Sequence, residues 1–342
     1  MSSQSQLSRY GAISRLIPDL APSAKVFLVG DSDDTSYGIQ NLAAEFPVDG
    51  DGVARVYSTI QAAVNAASPG RGDVVLVAPG SVLQISAADT WTTADVSVIG
   101  LGKGEQRPEL NFDAVGSVIH VGANGTRISN FILKADITAV AQGIDFDSGF
   151  SGHTFDNNKF IFNATGDNFS HMIDVHAANV TIEDNEFIAE DTTGAGRGIN
   201  IEGGEPDNLT IRRNHFYGNF DTLGDDTSDC AAMIAGDSSH DSADTVLENL
   251  RIERNTFLST DTAATVMVNV AGASVTTTIK GLATDNRFGS LDTTATDTVA
   301  LLLWPGTAGG ETHGVMSLEN YFVSSDTGIS QHKLAYNFIF ES

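Results

Sequence analysis

The chain has 342 residues and carries 18 Lys and Arg against 44 Asp and Glu, a formal charge of −26. Only 18% of residues are charged, below the roughly 25% of an average soluble domain, so the acidity comes from missing bases. That excludes a phosphate-backbone binder, and with it nucleic acid as a partner, while 41% hydrophobic content excludes wholesale disorder.

Cys230 is the single cysteine, so neither an intramolecular disulfide nor a Cys-based zinc site can form. No run of about 18 apolar residues exists, so no membrane-spanning helix is expected and a membrane is not a partner. The opening MSSQSQLSRYGAISRLIPDL lacks the basic and apolar regions of a Sec signal. The expectation is a protein made in a cytoplasm that leaves it only within something larger.

Residues 1–24 read as an arm. They hold Arg9 and Arg15 against Asp19 alone, a net of +1, which leaves −27 on the rest. Ile13, Leu16, Ile17 and Leu20 follow helical spacing, although Pro18 interrupts it, and Leu7 and Tyr10 extend the apolar side. Two readings stay open. One is a frayed terminus lying over the cap. The other is an anchor that orders on a partner shell through Leu7, Arg9, Tyr10, Ile13, Arg15, Leu16 and Ile17.

Residues 25–75 form an N-terminal segment ending in a capping helix, YSTIQAAVNAASPG. Ser58 and Gln61 make an S-x-x-Q capping box, Ile60, Ala63, Val64 and Ala67 share one face, and Pro69-Gly70 ends it. Asp49-Gly50-Asp51-Gly52 hints at calcium but lacks EF-hand spacing; a tight turn explains it better. RGDVVLVAPG then reads as the first strand of a repeating body over 76–342.

The repeat is the dominant feature. Asn130, Asn158, Asn185, Asn214, Asn255, Asn286 and Asn320 each close a short β-type segment, at spacings of 28, 27, 29, 41, 31 and 34 residues. VSVIG, ending at Gly100, resembles an earlier turn and LAYNF a truncated last one. Between them lie GIDFD, MIDVH, GINIEG, AMIAG, VMVNV and ALLLW, apolar or alternating over four to six residues. That pattern fits strands rather than helices. A strand–turn–strand–Asn–strand unit of this period predicts an all-β parallel β-helix of about nine coils, ~45 Å long at ~4.8 Å per coil. Asn suits the left-handed corner between two strands; stacked, its amides can bond from coil to coil as a structural ladder. The Phe two residues later is expected to point inward and stack. The 41-residue interval carries an extra loop within 221–244.

Candidate chemistry is sparse. Aligning Ile144, Ile173 and Ile201 places Asp145, Asp174 and Glu202 at one outward position of successive coils. Neighbours ~5 Å and next-neighbours ~9–10 Å apart overlap the separations of retaining and inverting glycosidases. The competing readings are a solvated face and, less favoured, a cation site, so no metal and no cofactor are expected. Asp156, Glu183, Arg212 and Glu253 read as a surface salt-bridge ladder. Eight histidines show no H-E-x-x-H pairing, and His171 and His176 are expected to face differently. Trp91 and Trp304 are too few to define a sugar cleft.

TIQAAVNAA followed by GDVVLVAPG resembles the start of right-handed parallel β-helices of the pectin-lyase-like superfamily. The upstream KVFLVGDSDD and FPVDGDGVARVYSTIQAAVNAA are similar to the opening of β-helical virion proteins of tailed phages of aquatic bacteria. This resemblance implies a capsid decoration or cement protein located in the virion. Its partners would be a major capsid protein or another shell protein, and the state a homotrimer. The polygalacturonase N-T-D block is absent, and Gly224-Asp225-Asp226, Thr312-His313-Gly314 and Thr278-Ile279-Lys280 match its other blocks neither in order nor in context. Asp174-Val175-His176 is a poor echo of the pectate-lyase W-I-D-H block. The alternatives are a tailspike-like polysaccharide lyase or hydrolase using Asp145, Asp174 and Glu202, and a non-catalytic module that binds a host surface glycan.

Overall fold

The computed structural model describes residues 24–30, 55–189, 196–201, 203, 206–220, 232–236, 246–260, 266–269, 278–290, 300–302, 314–318 and 321–324. The anchoring candidates Leu7 to Ile17, and Asn320, Glu202, Cys230 and Trp304, lie outside them.

Val, Ile, Phe and Thr fill short segments that recur once per repeat, and each segment pairs in parallel with its counterpart one repeat away. Stacking gives three parallel sheets of eleven, nine and eight strands, so the chain is a parallel β-helix. The nine strands of the second sheet, from Val82–Ile85 to Tyr321–Ser324, match the expected coil number. Inward side chains of all three sheets merge into one continuous core.

The first sheet reaches beyond the first coil. Val26–Val29 pairs with Val74–Val77 on one side and with Val56–Tyr57 on the other. The segment before the helix is therefore already part of the sheet, with Phe27 and Val29 in the main core and Val26 and Leu28 in a small outer cluster. The helix Ile60–Ala66 buries Ile60, Ala63 and Val64 as its periodicity requires. Its cap is Thr59, not Ser58: Thr59 is extended and its Oγ1 accepts the Ala62 N–H at 3.2 Å. Starting one residue later moves Gln61 out of the reciprocal position of a capping box, and Gln61 Nε2 donates to the Thr90 carbonyl instead.

The asparagine ladder is present and buried. Asn158, Asn185 and Asn214 donate their backbone N–H groups to Oδ1 of Asn185, Asn214 and Asn255 at 2.8, 3.0 and 2.9 Å. Asn255 donates likewise to Asn286 at 3.0 Å. Each Nδ2 returns to a carbonyl of the strand before, as from Asn185 to Phe155 at 3.0 Å. The ladder satisfies backbone groups at a corner where no strand partner exists.

Two expectations are corrected here. The left-handed residue is the one before the ladder: Asn157, Asp184, Arg213, Arg254 and Asp285 have φ of 56–58°. Asn130 is not a rung. The pairing of Ile132 with Lys159 places Phe131, one residue on, at the level of Asn158, and the Phe131 N–H donates to Asn158 Oδ1 at 2.9 Å. Asn130 itself takes the corner at φ 68° and donates from Nδ2 to the Gly100 and Gly102 carbonyls. A Cβ at Gly100 would lie 2.4 Å from the Asn130 carbonyl oxygen, so glycine is required there.

The phenylalanine after each rung stacks inward. Phe160, Phe187, Phe216, Phe257 and Phe288 form a column with ring centroids 5.4, 4.5, 4.9 and 4.8 Å apart and nearly parallel planes. Aromatic burial of this kind dominates core energetics.

Candidate functional site

The third sheet carries the chemistry. Its strands Val118–Val121, Val140–Phe146, Phe169–Val175 and Arg197–Ile201 alternate inward aliphatics with one polar residue on the opposite face. Their register aligns His120 with Asp145, Asp145 with Asp174, and Asp174 with Asn200. The column is therefore His120–Asp145–Asp174–Asn200. Asn200 replaces the expected Glu202: Ile199, not Ile201, pairs with Ile173, and both isoleucines face inward, so alternation alone tolerates a slip of two residues.

This face is not simply solvated. Asp174 is 0% exposed and Asp145 8%. Asp174 Oδ1 lies 2.9 Å from His171 Nδ1 and accepts from Asn200 Nδ2 at 2.9 Å. Arg197 Nη1 in turn donates to Asn200 Oδ1 at 2.6 Å. On the other side His120 Nδ1 lies 2.9 Å from Asp145 Oδ2 and 3.2 Å from Asp147 Oδ1. His176 Nε2 lies 3.6 Å from Asp145 Oδ1, and its Nδ1 donates to the Gly203 carbonyl at 2.7 Å. His171 and His176 thus serve different carboxylates, Asp174 and Asp145.

Burial pushes the Asp145 carboxyl up to about 6; His176 and His120 oppose the rise, and Asp147 and Asp174 add to it. A buried imidazole, His153, feels the charge of Asp147. It stacks on Phe146 at 5.1 Å, and neither ring nitrogen has a hydrogen-bond partner. Burial pulls it down to about 4, with Asp147 opposing.

The other candidates resolve differently. Asp156, Glu183, Arg212 and Glu253 occupy one register column, as expected. Arg212 pairs with Glu183 at 2.6 Å, and Arg213 reaches Glu183 and Asp184. Asp156 is buried rather than superficial. Burial raises its pKa, but the paired bonds from Arg127 at 2.8 Å, with Ser129 and Asn157, hold it below its usual value. Trp91 is fully buried and cannot stack on a sugar.

The sequence reading missed His120, Asp147, His176 and Asn200. Aligning GIDF with GINI by their Gly-Ile pairs reaches Asn200, and aligning VIHV by its isoleucine reaches His120. Together these groups can hold a proton or a cation between carboxylates and imidazoles, on the outer face of three successive coils.

Fold and site thus define a parallel β-helix with a buried polar seam on one sheet. No protein-family profile and no curated protein sequence matches the chain. Among solved structures, it aligns with ORF18 of Geobacillus virus E2 at 14% identity and TM-score 0.47, over 86% of this chain and 64% of that one. An alginate lyase from Paenibacillus sp. str. FPU-7 aligns at 10% and 0.47, over 78% and 95%. The tailspike protein of E. coli bacteriophage HK620 aligns at 12% and 0.42, over 84% and 63%. The chain spans less than two thirds of the Geobacillus virus protein's length. At these values no role passes from those proteins to this one.

Proposed function

We propose that the chain is a structural β-helix of a phage virion. In this reading it is a capsid decoration or cement protein, attached through its N-terminal region to a major capsid or other shell protein, and trimeric. The carrying observation is the state of the carboxylate row that a polysaccharide-hydrolase reading would use. Glycoside hydrolysis requires two carboxyl groups that both reach the scissile bond. Asp174 is wholly withdrawn from solvent and committed to His171 and Asn200, and the expected third carboxylate is replaced in register by Asn200. The Asn and Phe ladders supply a stiff rod, and the likeness of residues 25–80 to phage virion β-helices supports the particle setting.

The hydrolase reading keeps one feature, the raised pKa of Asp145, which suits a general acid. Incubating the full chain with host surface polysaccharide separates the two. The structural role predicts neither reducing ends nor unsaturated sugars; release of either refutes it. Co-sedimentation with capsid shells, with and without residues 1–24, tests the anchor: retained binding after deletion removes the arm from the proposal.

A further inference from the structure

The seam offers nitrogen and oxygen donors from two consecutive coils at one point, with a third coil beside them. His120 sits in Val118–Val121, Asp145 and Asp147 at the end of the next strand, and His176 at the end of the one after. Donor atoms of His120, Asp145 and Asp147 all lie within 4.8 Å of one another. The His120 Nδ1 distances to Asp145 and Asp147, 2.9 and 3.2 Å, are close to the edge of about 3.4 Å that bonds of 2.0–2.2 Å give a tetrahedral ion.

A further observation points to a cation. Asp145 Oδ1 is buried and has no hydrogen-bond donor, although an unpaired buried carboxylate oxygen is costly. The neighbouring His176 Nε2, at 3.6 Å, stands beyond hydrogen-bond reach of it. Gly122 completes the cradle, since a Cβ there would lie 3.1 Å from Asp147 Oδ2. His120 and Asp147 are about a third exposed, which leaves an ion a way in.

We propose that His120, Asp145 and Asp147 form a site for a divalent transition metal of the zinc class, which clasps two neighbouring coils of the β-helix. One imidazole nitrogen with two carboxylates, and a fourth position left to water, favour Zn²⁺ or Co²⁺ over the all-oxygen preference of Ca²⁺. The site replaces the sequence-level expectation of no metal, and it holds whether or not the chain is part of a virion.

The test uses the full, tag-free chain, stripped with EDTA and titrated with ZnCl₂ by calorimetry and with CoCl₂ by visible absorption. One ion per chain, intense tetrahedral Co²⁺ bands, Zn²⁺ preferred over Ca²⁺, and a melting point raised by several degrees are expected. His120→Ala and Asp147→Asn, both at partly exposed positions, should weaken Zn²⁺ at least tenfold, with circular dichroism confirming the fold. His215→Ala, on the second sheet, should leave binding intact. Absence of saturable binding overturns the proposal. So does equal binding of Ca²⁺, or affinity unchanged by His120→Ala.

Discussion

Asn200 stands directly opposite Asp174 on the neighbouring strand and donates to its Oδ1 at 2.9 Å. A carboxylate at this position would have continued a row of like charges; the neutral amide instead ends the row, and its oxygen accepts from Arg197. Asn200→Ala removes a hydrogen bond to a buried carboxylate, a loss of about 2 kcal/mol. Urea unfolding followed by circular dichroism should show this. An unchanged midpoint would mean that Asp174 does not depend on Asn200.

The asparagine ladder makes a graded prediction. Asn185→Ala leaves the Asn158 N–H and the Phe155 carbonyl without partners in the core, at about 1–3 kcal/mol each. Asn130→Gly keeps the left-handed corner and forfeits only the bonds to Gly100 and Gly102, so it should cost about 1 kcal/mol. Equal losses at both positions, measured by the same unfolding, would contradict the assignment of Asn130 to the corner.

His153 predicts a pH dependence. Its backbone level belongs to a column of Val96, Thr126, Val180 and Leu209, which hand hydrogen bonds from coil to coil, so an imidazole stands where the other coils place a small or aliphatic side chain. Its folded pKa of about 4 lies below the ordinary value of about 6.5. Its stability contribution is therefore complete above pH ~6.5 and is lost as the pH falls through ~4, about 3 kcal/mol in all. Asp145, raised to about 6, works in the opposite sense: its contribution is present in acid and lost as pH rises through 6. Comparing His153→Leu with the parent in EDTA isolates the imidazole. The variant should equal or exceed the parent at pH 7 and gain about 3 kcal/mol on it by pH 4. Parallel stability curves would contradict this.

What the sequence revealed depended on what repeats. The Asn-x-Phe spacing located the rungs from Asn158 to Asn286 because amide and ring recur together in each of those coils. It misplaced Asn130 because RISNF has Phe at the next position, where Phe131 takes the level of the rung. The corner residue was hidden because Arg213 and Arg254 occupy it as readily as Asn157; stacked strands impose that conformation on whatever residue falls there. The seam was half legible. Asp145 and Asp174 share their neighbours' apolar context, whereas His120, Asp147 and His176 converge only through register and strand ends. Burial of an outward residue such as Asp174 arises from the packing of its polar neighbours, which no periodicity displays.

The sharpest test of the proposed virion role is electron cryo-microscopy of the particles of the phage that this reading requires to encode the chain. The structural reading predicts a rod nine strands deep in its second sheet, standing on the capsid shell in threes, with its N-terminal end against the shell. A particle lacking the chain, or rods confined to the tail tip, would contradict it.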